Sequence, residues 1–551
     1  MIAKLIDTLL TARGIGKDER GHFLEPDYGR DTHDPFLLAD MGHAVDRILA
    51  ALEKGERIAI YADFDCDGIP AAVVLHDTFQ KIGYSNFEVY IPHRHNEGYG
   101  FHTQAIDTLA SRGVSLIITV DVGTVAFDGV AHARSLGLDV IVTDHHELAE
   151  TLPDSIVINP KRAGYPFPHL CGAAVAFKLA QALLIRGRER DIATFTNVPG
   201  WEKWLLDMVV IATVADMVPL VGENRALARF GFTVLRKSPR PGLLALCRKL
   251  RLNQSAITED DIGFSIAPRI NAASRMDKPE LAFRLLSTRD SGEAEALAGE
   301  LERLNSQRKG TVASLVKEAK HLAAERFPSS SVTVLGNPEW KPALLGLAAN
   351  SLMEDRGGVV CLWGRDGNGV LKGSCRSDGS INLVELFRAA QVDATLEEAG
   401  GHAMAGGFSV SFEQVHHLPE IFEKAAEDLR KEIVQTPPHD AEIDPTHVSD
   451  RLVEALATMR PFGVGNPKPV FRLSSLTIES VRIFGKEQTH TELFFRTGSK
   501  TLRGFDFFRT PDGFSEVPRV GNRIDALATI ERDMFRNSIA LRLVDIVRSA
   551  V

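Results

Sequence analysis

The chain has 551 residues, of which 44% are hydrophobic and 25% are charged. This balance excludes wholesale disorder, and the length excludes a single compact core, so about three or four domains are expected. The formal net charge is −10, which does not favour nucleic-acid binding through clustered Lys and Arg, although residues 451–551 carry 16 basic and 11 acidic side chains.

The sequence carries no sign of a membrane protein or a secreted one. No apolar run reaches the roughly 18 residues that a membrane-spanning helix needs, and the N-terminus lacks the apolar core and cleavage site of a signal peptide. The five cysteines lie far apart with no Cys-x-x-Cys pair, which argues against a disulfide framework and a cysteine zinc site. We therefore expect a cytoplasmic protein with reduced thiols and no membrane association.

From about residue 50, β-branched apolar runs alternate with amphipathic segments. Helical patterns such as 71–83 and 103–113 separate the runs, which predicts a parallel α/β sheet whose ligands bind at the carboxyl ends of the strands. Four runs are predicted as strands, each ending in polar residues: ERIAIYADFD (56–65), SNFEVYIPH (85–93), SLIITVDVG (115–123) and DVIVTDHHE (139–147).

Residues 289–327 predict one long, highly charged helix that is interrupted around Gly310. Such a helix between two α/β regions is typical of a rigid connector, and an ordinary surface helix fits the pattern equally well. Strand–helix alternation then resumes and ends near Pro437-Pro438, which predicts a linker. Five further strands between residues 469 and 547 predict a small β-barrel.

Asp63, Asp65 and Asp67, followed by Gly68, end the first apolar run. In an extended strand the three carboxylates would share a face and would repel one another unless cations neutralised them. A calcium loop would carry a Glu about six residues beyond the glycine, and none stands there. We predict a metal site, with a solvated acidic turn as the alternative.

Asp121, Asp144-His145-His146 and Asp216 also end apolar segments, which we predict to be successive strands. Each alone is more typical of a helix cap or a turn, but their joint occurrence at one edge of a sheet favours a single site. Carboxylates with imidazoles suit Mn²⁺ or Mg²⁺ better than zinc, and their number predicts two ions around one water. Hydrolysis of a phosphate ester or anhydride follows, and the substrate stays open.

The segments YADFDCDG, IPHRHNEGYG, VDVG, TDHHE and ATVADMVPLVGENR resemble the DHH phosphoesterase superfamily. The segments LCGAAVAFKLAQAL, APRINAASRMD, GLAANSL, GSCRS, GGHAMAGG and PFGVGNPKPVF resemble its RecJ branch, so the resemblance extends from about residue 55 to the C-terminus. It implies 5′→3′ exonucleolytic digestion of single-stranded DNA to mononucleotides, in recombination and repair. It also implies single-stranded DNA, a single-strand-binding protein and a helicase as partners, and we expect a monomer.

The implied fold is α/β: a parallel-sheet DHH domain, joined by a long helix to a smaller α/β DHH-associated domain, plus a C-terminal OB-type β-barrel. A DHH enzyme that cleaves short oligoribonucleotides or nucleotide phosphates is one alternative, and a catalytically inactive DNA-binding scaffold is another. The predicted boundaries are an N-terminal segment (1–50), the DHH domain (51–288), the connecting helix (289–327), the DHH-associated domain (328–440), and a linker with the OB-fold nucleic-acid-binding domain (441–551).

The resemblance assigns roles to residues of the metal site. The positions that match the family's metal ligands are Asp65, Asp67, Asp121, His145 and Asp216, with Asp121 as the expected bridge between two ions. Asp63 would ligate directly or support a ligand, and it could compensate for Tyr61, which stands where some DHH relatives have a histidine. His146, Asp144 and Arg275 are assigned to catalysis or phosphate contact.

Substrate binding is assigned, also by resemblance, to Arg94, Arg275, Ser374, Arg376, Gly401 and His402. Glycines around His402 would let backbone N–H groups approach a phosphate. The chain departs from the pattern at Cys375, where a small residue is usual, and at Asn350-Ser351, where relatives often have Ser-Arg.

For the barrel, the resemblance implies a basic groove with stacking aromatic rings. The predicted DNA track comprises Arg496, Arg503 and Phe507. The other candidate rings are Phe494, Phe495, Phe505, Phe508 and Phe535. Because alternating phenylalanines in a small barrel usually form its core, we expect only one or two rings to face DNA.

Overall fold

A computed structural model describes residues 2–196, 199–328, 330–391, 396–430, 439–485, 488–498, 500–533, 536 and 538–549. Over these residues, no helix combines the length and the apolar character that crossing a membrane would require. Contacts divide the chain into two compact units: Asp34–Asp216 with Gly231–Val434 form the larger unit, and Met1–His33, Met217–Phe230 and Gln435–Val551 form the smaller. The predicted domain boundaries stay predictions, and most of the predicted Pro-Pro linker lies outside the described residues.

The strands form three sheets. In chain order they are β1 (Arg57–Ala62), β2 (Phe87–Tyr90), β3 (Val114–Val120), β4 (Asp139–Thr143), β5 (Ile156–Ile158), β6 (Val332–Gly336), β7 (Val359–Arg365), β8 (Leu371–Ser377), β9 (Glu398–Gly401), β10 (Ala405–Val410), β11 (Ala441–Glu442), β12 (Phe471–Phe484), β13 (His490–Thr497), β14 (Lys500–Asp506), β15 (Arg523–Asp533) and β16 (Ser538–Arg548).

The α-helices connect and cover these sheets. In chain order they are α1 (Ile2–Ala12), α2 (Arg20–Leu24), α3 (Tyr28–Asp31), α4 (Met41–Lys54), α5 (Gly68–Lys81), α6 (Thr103–Ser111), α7 (Phe127–Ser135), α8 (Gly172–Glu189), α9 (Ala193–Thr196), α10 (Leu206–Ala215), α11 (Gly222–Leu235), α12 (Pro241–Leu250), α13 (Glu259–Asp261), α14 (Ala267–Arg275), α15 (Pro279–Ser287), α16 (Ser291–Arg326), α17 (Pro342–Arg356), α18 (Leu383–Gln391), α19 (Leu418–Glu427) and α20 (Asp450–Ala457).

The first sheet of the larger unit is parallel, in the order β2-β1-β3-β4-β5, and this confirms the predicted α/β fold. Alternate side chains of β1, β3 and β4 share a core with α6 and α7. The side chains between them, such as Ile58, Ile60 and Ile118, are also fully buried, so helices cover both faces. The carboxyl ends of β1, β3 and β4 lie side by side, as the sequence predicts.

The connecting helix α16 is a single helix of 36 residues. The predicted interruption at Gly310 is wrong, because the helix runs through it; an isolated glycine weakens a helix without breaking it. The N-terminal half of α16 packs on α12, α14 and α15, and the C-terminal half packs on α17 and β6. Most residues from 306 to 314 are exposed, so the middle of α16 bridges two packed ends.

The second sheet of the larger unit has the order β6-β7-β8-β10-β9, with β6 and β7 parallel and the other pairs antiparallel. Its two faces carry separate cores, one with α18 and α19 and the other with α16 and α17. All five cysteines are free and buried. Two of them are not far apart in space, because Cys361 lies directly opposite Cys375 across β7 and β8.

In the smaller unit, β12 pairs with both β13 and β15, and the remaining ladders through β14 and β16 close a five-stranded barrel, as predicted. The N-terminal residues Ile6, Leu9, Leu10 and Phe23 share the core of this barrel with α20. Arg225, from the 217–230 segment, is 2% exposed and donates hydrogen bonds to backbone carbonyls of Phe23 and Arg460. The two chain ends therefore fold together.

We predict that Gly310→Ala stabilises the protein without loss of activity. A Cβ atom at position 310 meets no atom within 4 Å, and alanine favours a helix interior by about 1 kcal/mol. Chemical denaturation would measure the gain. Gly242→Ala in α12 is the opposite control, because its Cβ would lie 1.7 Å from the Leu285 carbonyl oxygen. A fall in activity of the Gly310 variant would mean that the helix must bend there.

Candidate metal centre

Asp63, Asp65 and Asp67 lie in the turn between β1 and α5. The chain leaves the extended conformation after Ala62, so strand alternation is not what gathers these carboxylates. Asp65 Oδ1 accepts hydrogen bonds from the N–H groups of Asp67 and Gly68, at 2.8 and 3.2 Å. A Cβ atom on Gly68 would lie 2.4 Å from the Asp63 carbonyl oxygen, so only glycine allows the turn to be this tight.

Asp121 follows β3 with a left-handed backbone, φ +62°, which is strained for any residue other than glycine. It is 2% exposed, and its N–H donates to the Thr143 carbonyl at 2.9 Å. In this backbone conformation the Asp121 carboxylate lies beside those of Asp63 and Asp65. Ligand atoms of these three residues lie within 4.8 Å of one another.

The N-terminus of α8 holds Asp67 in place. Asp67 accepts hydrogen bonds from the N–H groups of Gly172 and Ala173, at 2.6 and 2.7 Å, where the helix dipole favours negative charge. A Cβ atom on Gly172 would lie 2.6 Å from Asp121 Oδ1. The sequence alone gives Gly172, in the segment LCGAAV, no role. Only its contact with Asp121 shows why a side chain is excluded at this position.

His145 lies at the centre of the carboxylates. Its Nε2 atom is 3.2 Å from Asp121 Oδ1, and it is 3.7 Å from both Asp67 Oδ2 and Asp216 Oδ2. Asp216 is not at a strand end, as the sequence analysis predicts, because the preceding apolar segment is the buried helix α10 and Asp216 is its C-cap. The structure nevertheless brings all five assigned ligands and Asp63 into one cluster.

The donor set fits hard divalent cations. Carboxylate oxygens dominate, with imidazole nitrogen as the other donor. Among the described residues, Asp63 Oδ1 and Asp121 Oδ1 are buried and have no hydrogen-bond partner. Buried acceptors of this kind are costly unless something satisfies them, and a cation would do so.

The pKa values of the clustered carboxylates also show that their ionisation is unfavourable without a cation. Burial and the neighbouring carboxylates raise the pKa of Asp67 to about 7 and that of Asp216 to about 8. Burial and Asp67 also raise the pKa of Asp121, and burial and Asp65 raise that of Asp63. Burial and the nearby His146 lower the pKa of His145 to about 4.

Asp144 does not face the cluster but organises the two histidines. Its Oδ1 accepts from the His145 N–H and lies 2.7 Å from His146 Nδ1, while Oδ2 accepts from the Thr124 N–H. Burial alone would lower the pKa of His146, but the hydrogen bond and charge of Asp144 outweigh it and raise the pKa to about 9. Tyr99, which the sequence analysis missed, has its hydroxyl 3.3 Å from His146 Nδ1.

Half-buried arginines without carboxylate ion pairs border the cluster within the described part of the chain. Arg94 lies 4.8 Å from the centroid of the Phe64 ring. Burial lowers the pKa of Arg94, and the charges of Asp63 and Asp65 oppose that shift. Burial, followed by the charges of Arg94 and Arg308, lowers the pKa of Arg275 to about 9. The Arg275 guanidinium donates to the Ala343 carbonyl in α17.

Arg376 and Ser374 lie together on β8, with Arg376 Nη1 3.3 Å from Ser374 Oγ. Arg376 also contributes to the lowered pKa of Arg275, so β8 lies near α14. A Cβ atom on Gly346 would lie 2.7 Å from Arg376 Nη2. Position 346, in the segment GLAANSL, therefore needs a glycine, which the sequence alone does not show.

Gly401 is the last residue of β9, and His402 follows it in the turn that leads to β10. His402 is exposed and lies close enough to Glu147 to help lower the pKa of that carboxyl. Gly401 pairs with Gly406, and a Cβ atom there would lie 2.5 Å from the Gly406 Cα. The hairpin itself therefore requires this glycine, and the phosphate contacts of Gly401 and His402 stay predictions.

The residues of the predicted DNA track differ in exposure and in ion pairing. Arg503 is half-buried and pairs with Glu492, at 2.6 Å, and with Asp533, so its charge is compensated within the barrel. Arg496 is exposed and pairs with Glu479. Phe507 is 42% exposed, with the Arg542 guanidinium 4.4 Å from its ring. Of the other candidate rings, Phe495 and Phe505 are buried, Phe494 is half-buried, Phe508 is 86% exposed, and Phe535 lies outside the described residues.

Three domain families match the chain: the DHH family N-terminal domain over residues 57–213, the DHHA1 domain over 329–431, and the RecJ OB domain over 439–545. The chain is 35% identical to the single-stranded-DNA-specific exonuclease RecJ of Bacillus subtilis, a match covering 97% of this chain and 66% of that protein. It therefore spans just under two thirds of that relative. It is 34% identical to the Escherichia coli protein of the same name, over 79% of this chain and 78% of the relative.

Solved structures agree with these matches. The crystal structure of RecJ in complex with Mn²⁺ from Thermus thermophilus is similar with a TM-score of 0.80 and 26% identity, over 99% of this chain and 76% of that one. The crystal structure of an exonuclease RecJ bound to manganese is similar with a TM-score of 0.61 and 31% identity, over 73% of this chain and 97% of that one.

We predict that Gly172→Ala disrupts the carboxylate cluster while leaving the fold intact. The new methyl group would displace Asp121, and a displacement of about 1 Å can cost roughly 100-fold in rate. Calorimetric titration with Mn²⁺ should show weakened binding, and thermal denaturation should show a folded protein. Gly299→Ala, whose Cβ meets nothing within 4 Å, should bind Mn²⁺ as the wild type does. Unchanged Mn²⁺ affinity in the Gly172 variant would contradict the assigned ligand geometry.

Proposed function

The chain belongs to the RecJ family of single-stranded-DNA-specific exonucleases, and from this premise we propose that it releases mononucleotides stepwise from the 5′ end of single-stranded DNA. It is a metal-dependent phosphodiester hydrolase of the DHH type. Its proposed role is in DNA recombination and repair.

The observation that carries the proposal is a linked cluster: Asp67, Asp121 and Asp216 lie within 4 Å of His145 Nε2, and Asp63 and Asp65 join it through Asp121, with two buried oxygens unsatisfied. We assign Asp63, Asp65, Asp67, Asp121, His145 and Asp216 as ligands of two Mn²⁺ or Mg²⁺ ions. Such a pair would neutralise charge on the phosphate. It would also lower the pKa of a bound water, and the hydroxide formed from that water would be the nucleophile that attacks phosphorus. The carboxylates of Asp63, Asp67, Asp121 and Asp216, whose pKa values are raised without cations, would then be held ionised at neutral pH.

The two histidines have different roles in this proposal. Because the pKa of His145 is lowered to about 4, its imidazole is neutral at pH 7 and keeps a lone pair for binding. Because the pKa of His146 is raised to about 9, its imidazole is charged and can donate a proton from the nitrogen that Asp144 does not hold. We assign His146 as the donor to the scissile phosphate, positioned by Asp144.

Arg94, Arg275 and Arg376 are assigned to hold the substrate's phosphates. They come from the DHH region, from α14 and from β8. Within the described residues none of them has a carboxylate at ion-pair distance, although Asp63 and Asp65 act on Arg94 and Asp65 acts on Arg275, so each is suited to hold a phosphate. Single-strand selectivity would then be steric, because a cleft closed on both sides admits one strand and excludes a duplex. If blunt duplex were digested as fast as single strands, the steric explanation would fail.

A single-strand-binding protein, a helicase, the cytoplasm as location and the monomeric state belong to the proposal on family grounds. The alternative of an inactive DNA-binding scaffold is disfavoured because every assigned ligand is present. Comparing the rates of cleavage of a long single strand and of a dinucleotide distinguishes the proposed exonuclease from an oligoribonuclease or nucleotide phosphatase.

We predict that single strands labelled at the 5′ end release the labelled mononucleotide at once, whereas strands labelled at the 3′ end shorten progressively. Time courses with Mn²⁺, Mg²⁺ and EDTA on denaturing gels would measure this. EDTA should abolish digestion, and Asp121→Ala should nearly abolish it, because the expected bridging carboxylate is lost. Gly299→Ala is the matched control with normal activity. Release of the 3′ label first, or activity surviving both treatments, would disprove the mechanism.

We also predict that kcat/KM is higher for a long single strand of DNA than for a dinucleotide. A long strand offers more phosphates for basic side chains to contact than a dinucleotide does, and added phosphate contacts raise affinity. Comparing kcat/KM for the two substrates measures the effect. Preference for the dinucleotide would favour the oligoribonuclease alternative instead.

A further inference from the structure

The exposed middle of α16 carries an arginine that no role above explains. Arg308 is half-buried, and its Nη2 atom donates to Asn305 Oδ1 at 2.9 Å. Asn305 lies one turn earlier on the helix and is 0% exposed. Arg308 Nε and Asn305 Nδ2 are both buried, and neither has a hydrogen-bond partner among the residues that the structure describes.

Both unsatisfied atoms are donors, and this defines what would satisfy them. A buried donor without an acceptor costs more than a formed hydrogen bond gains, so such groups normally mark a missing partner. Nε belongs to a cation, and Asn305 Nδ2 points to the same helix face one turn away. An acceptor with several oxygens and negative charge fits both donors.

The charges around Arg308 also favour an anion. The charge of Arg269 contributes to the lowered pKa of Arg308, but Arg269 is itself paired with Glu302 at 2.8 Å. Arg308 has no carboxylate ion pair over the described ranges, and neither has Arg275, whose pKa the charge of Arg308 helps to lower. The space between these two guanidinium groups therefore carries uncompensated positive charge.

The position of Arg308 separates it from the metal cluster. Arg275 lies on α14, which packs against α16. Asn271 of α14 accepts a hydrogen bond from the Cys66 N–H at 2.9 Å, so α14 contacts the turn that carries Asp65 and Asp67. Arg308 lies on α16, where its side chain donates to Asn305.

We propose that Arg308 and Asn305, together with Arg275, form a phosphate subsite on the connecting helix, which binds a phosphate of the DNA strand adjacent to the one being hydrolysed. This subsite rests on the proposed function, since its ligand is the exonuclease substrate. It assigns α16 a direct part in substrate binding in addition to linking two regions of the larger unit. The subsite fixes the register of the strand, so that one nucleotide extends past the metal cluster.

The test is Arg308→Gln, which removes the charge and the Nη groups and leaves a shorter polar side chain. Because the contact exists before and during hydrolysis, KM for single-stranded DNA should rise by about 10- to 100-fold with kcat nearly unchanged. The dependence of log affinity on log salt should become shallower by about 0.7, the change expected for one lost phosphate contact on a single strand. Arg308→Lys should restore the salt dependence but only part of the affinity.

Arg303→Gln is the matched control, since Arg303 is exposed on the same helix and pairs with Glu300. It should leave KM and the salt dependence unchanged. Asn305→Asp would place a carboxylate beside Arg308 and should raise KM at least as much as Arg308→Gln. Thermal denaturation checks that each variant is folded.

The outcomes separate the two proposals. If the wild type digests single strands and Arg308→Gln matches it in KM and salt dependence, the subsite is wrong and the proposed function stands. If the wild type fails to digest single strands in Mn²⁺, the proposed function is wrong, and the salt dependence of DNA binding in EDTA still tests the subsite. A fall in kcat with unchanged KM would also overturn the subsite.

Discussion

The structure depends on keeping several carboxylates buried in one small volume. Burial and mutual repulsion both oppose ionisation, as the raised pKa values of Asp67, Asp121 and Asp216 show. The fold meets part of this cost locally, through the N–H groups of α8 on Asp67. The rest is left for divalent cations, so the apoprotein and the metal-bound protein should differ in stability as well as in activity.

Much of the fold and the cluster could be predicted because the information is local. A β-branched run that ends in Asp is visible in one line of sequence, and parallel strands align such ends at one edge. Asp216 shows the limit of this reasoning. The segment before it is rich in Val and mostly apolar, so periodicity does not distinguish a buried helix from a buried strand, and a helix stands where the sequence predicts a strand.

The features that the sequence did not predict arise from distant contacts. Gly172 and Gly346 are unremarkable in sequence, and only the side chains of Asp121 and Arg376 opposite them require a glycine. The sequence predicts Arg503 as a DNA contact, and only the structure shows its ion pairs with Glu492, on the neighbouring strand β13, and with Asp533, on β15. Arg308 looked like one more charge on a charged helix. Charge compensation is a property of neighbours in space, and a single sequence does not give those neighbours.

The sharing of one core by both ends of the chain has a consequence for biosynthesis. Leu9 and Leu10 of α1 belong to a core most of whose members lie between residues 448 and 546. At about 5–20 residues per second, a ribosome needs on the order of a minute or less to make the intervening chain. During that interval the first helix has apolar residues and no barrel to cover them, so the nascent protein is exposed to aggregation or chaperone capture until its last strands emerge.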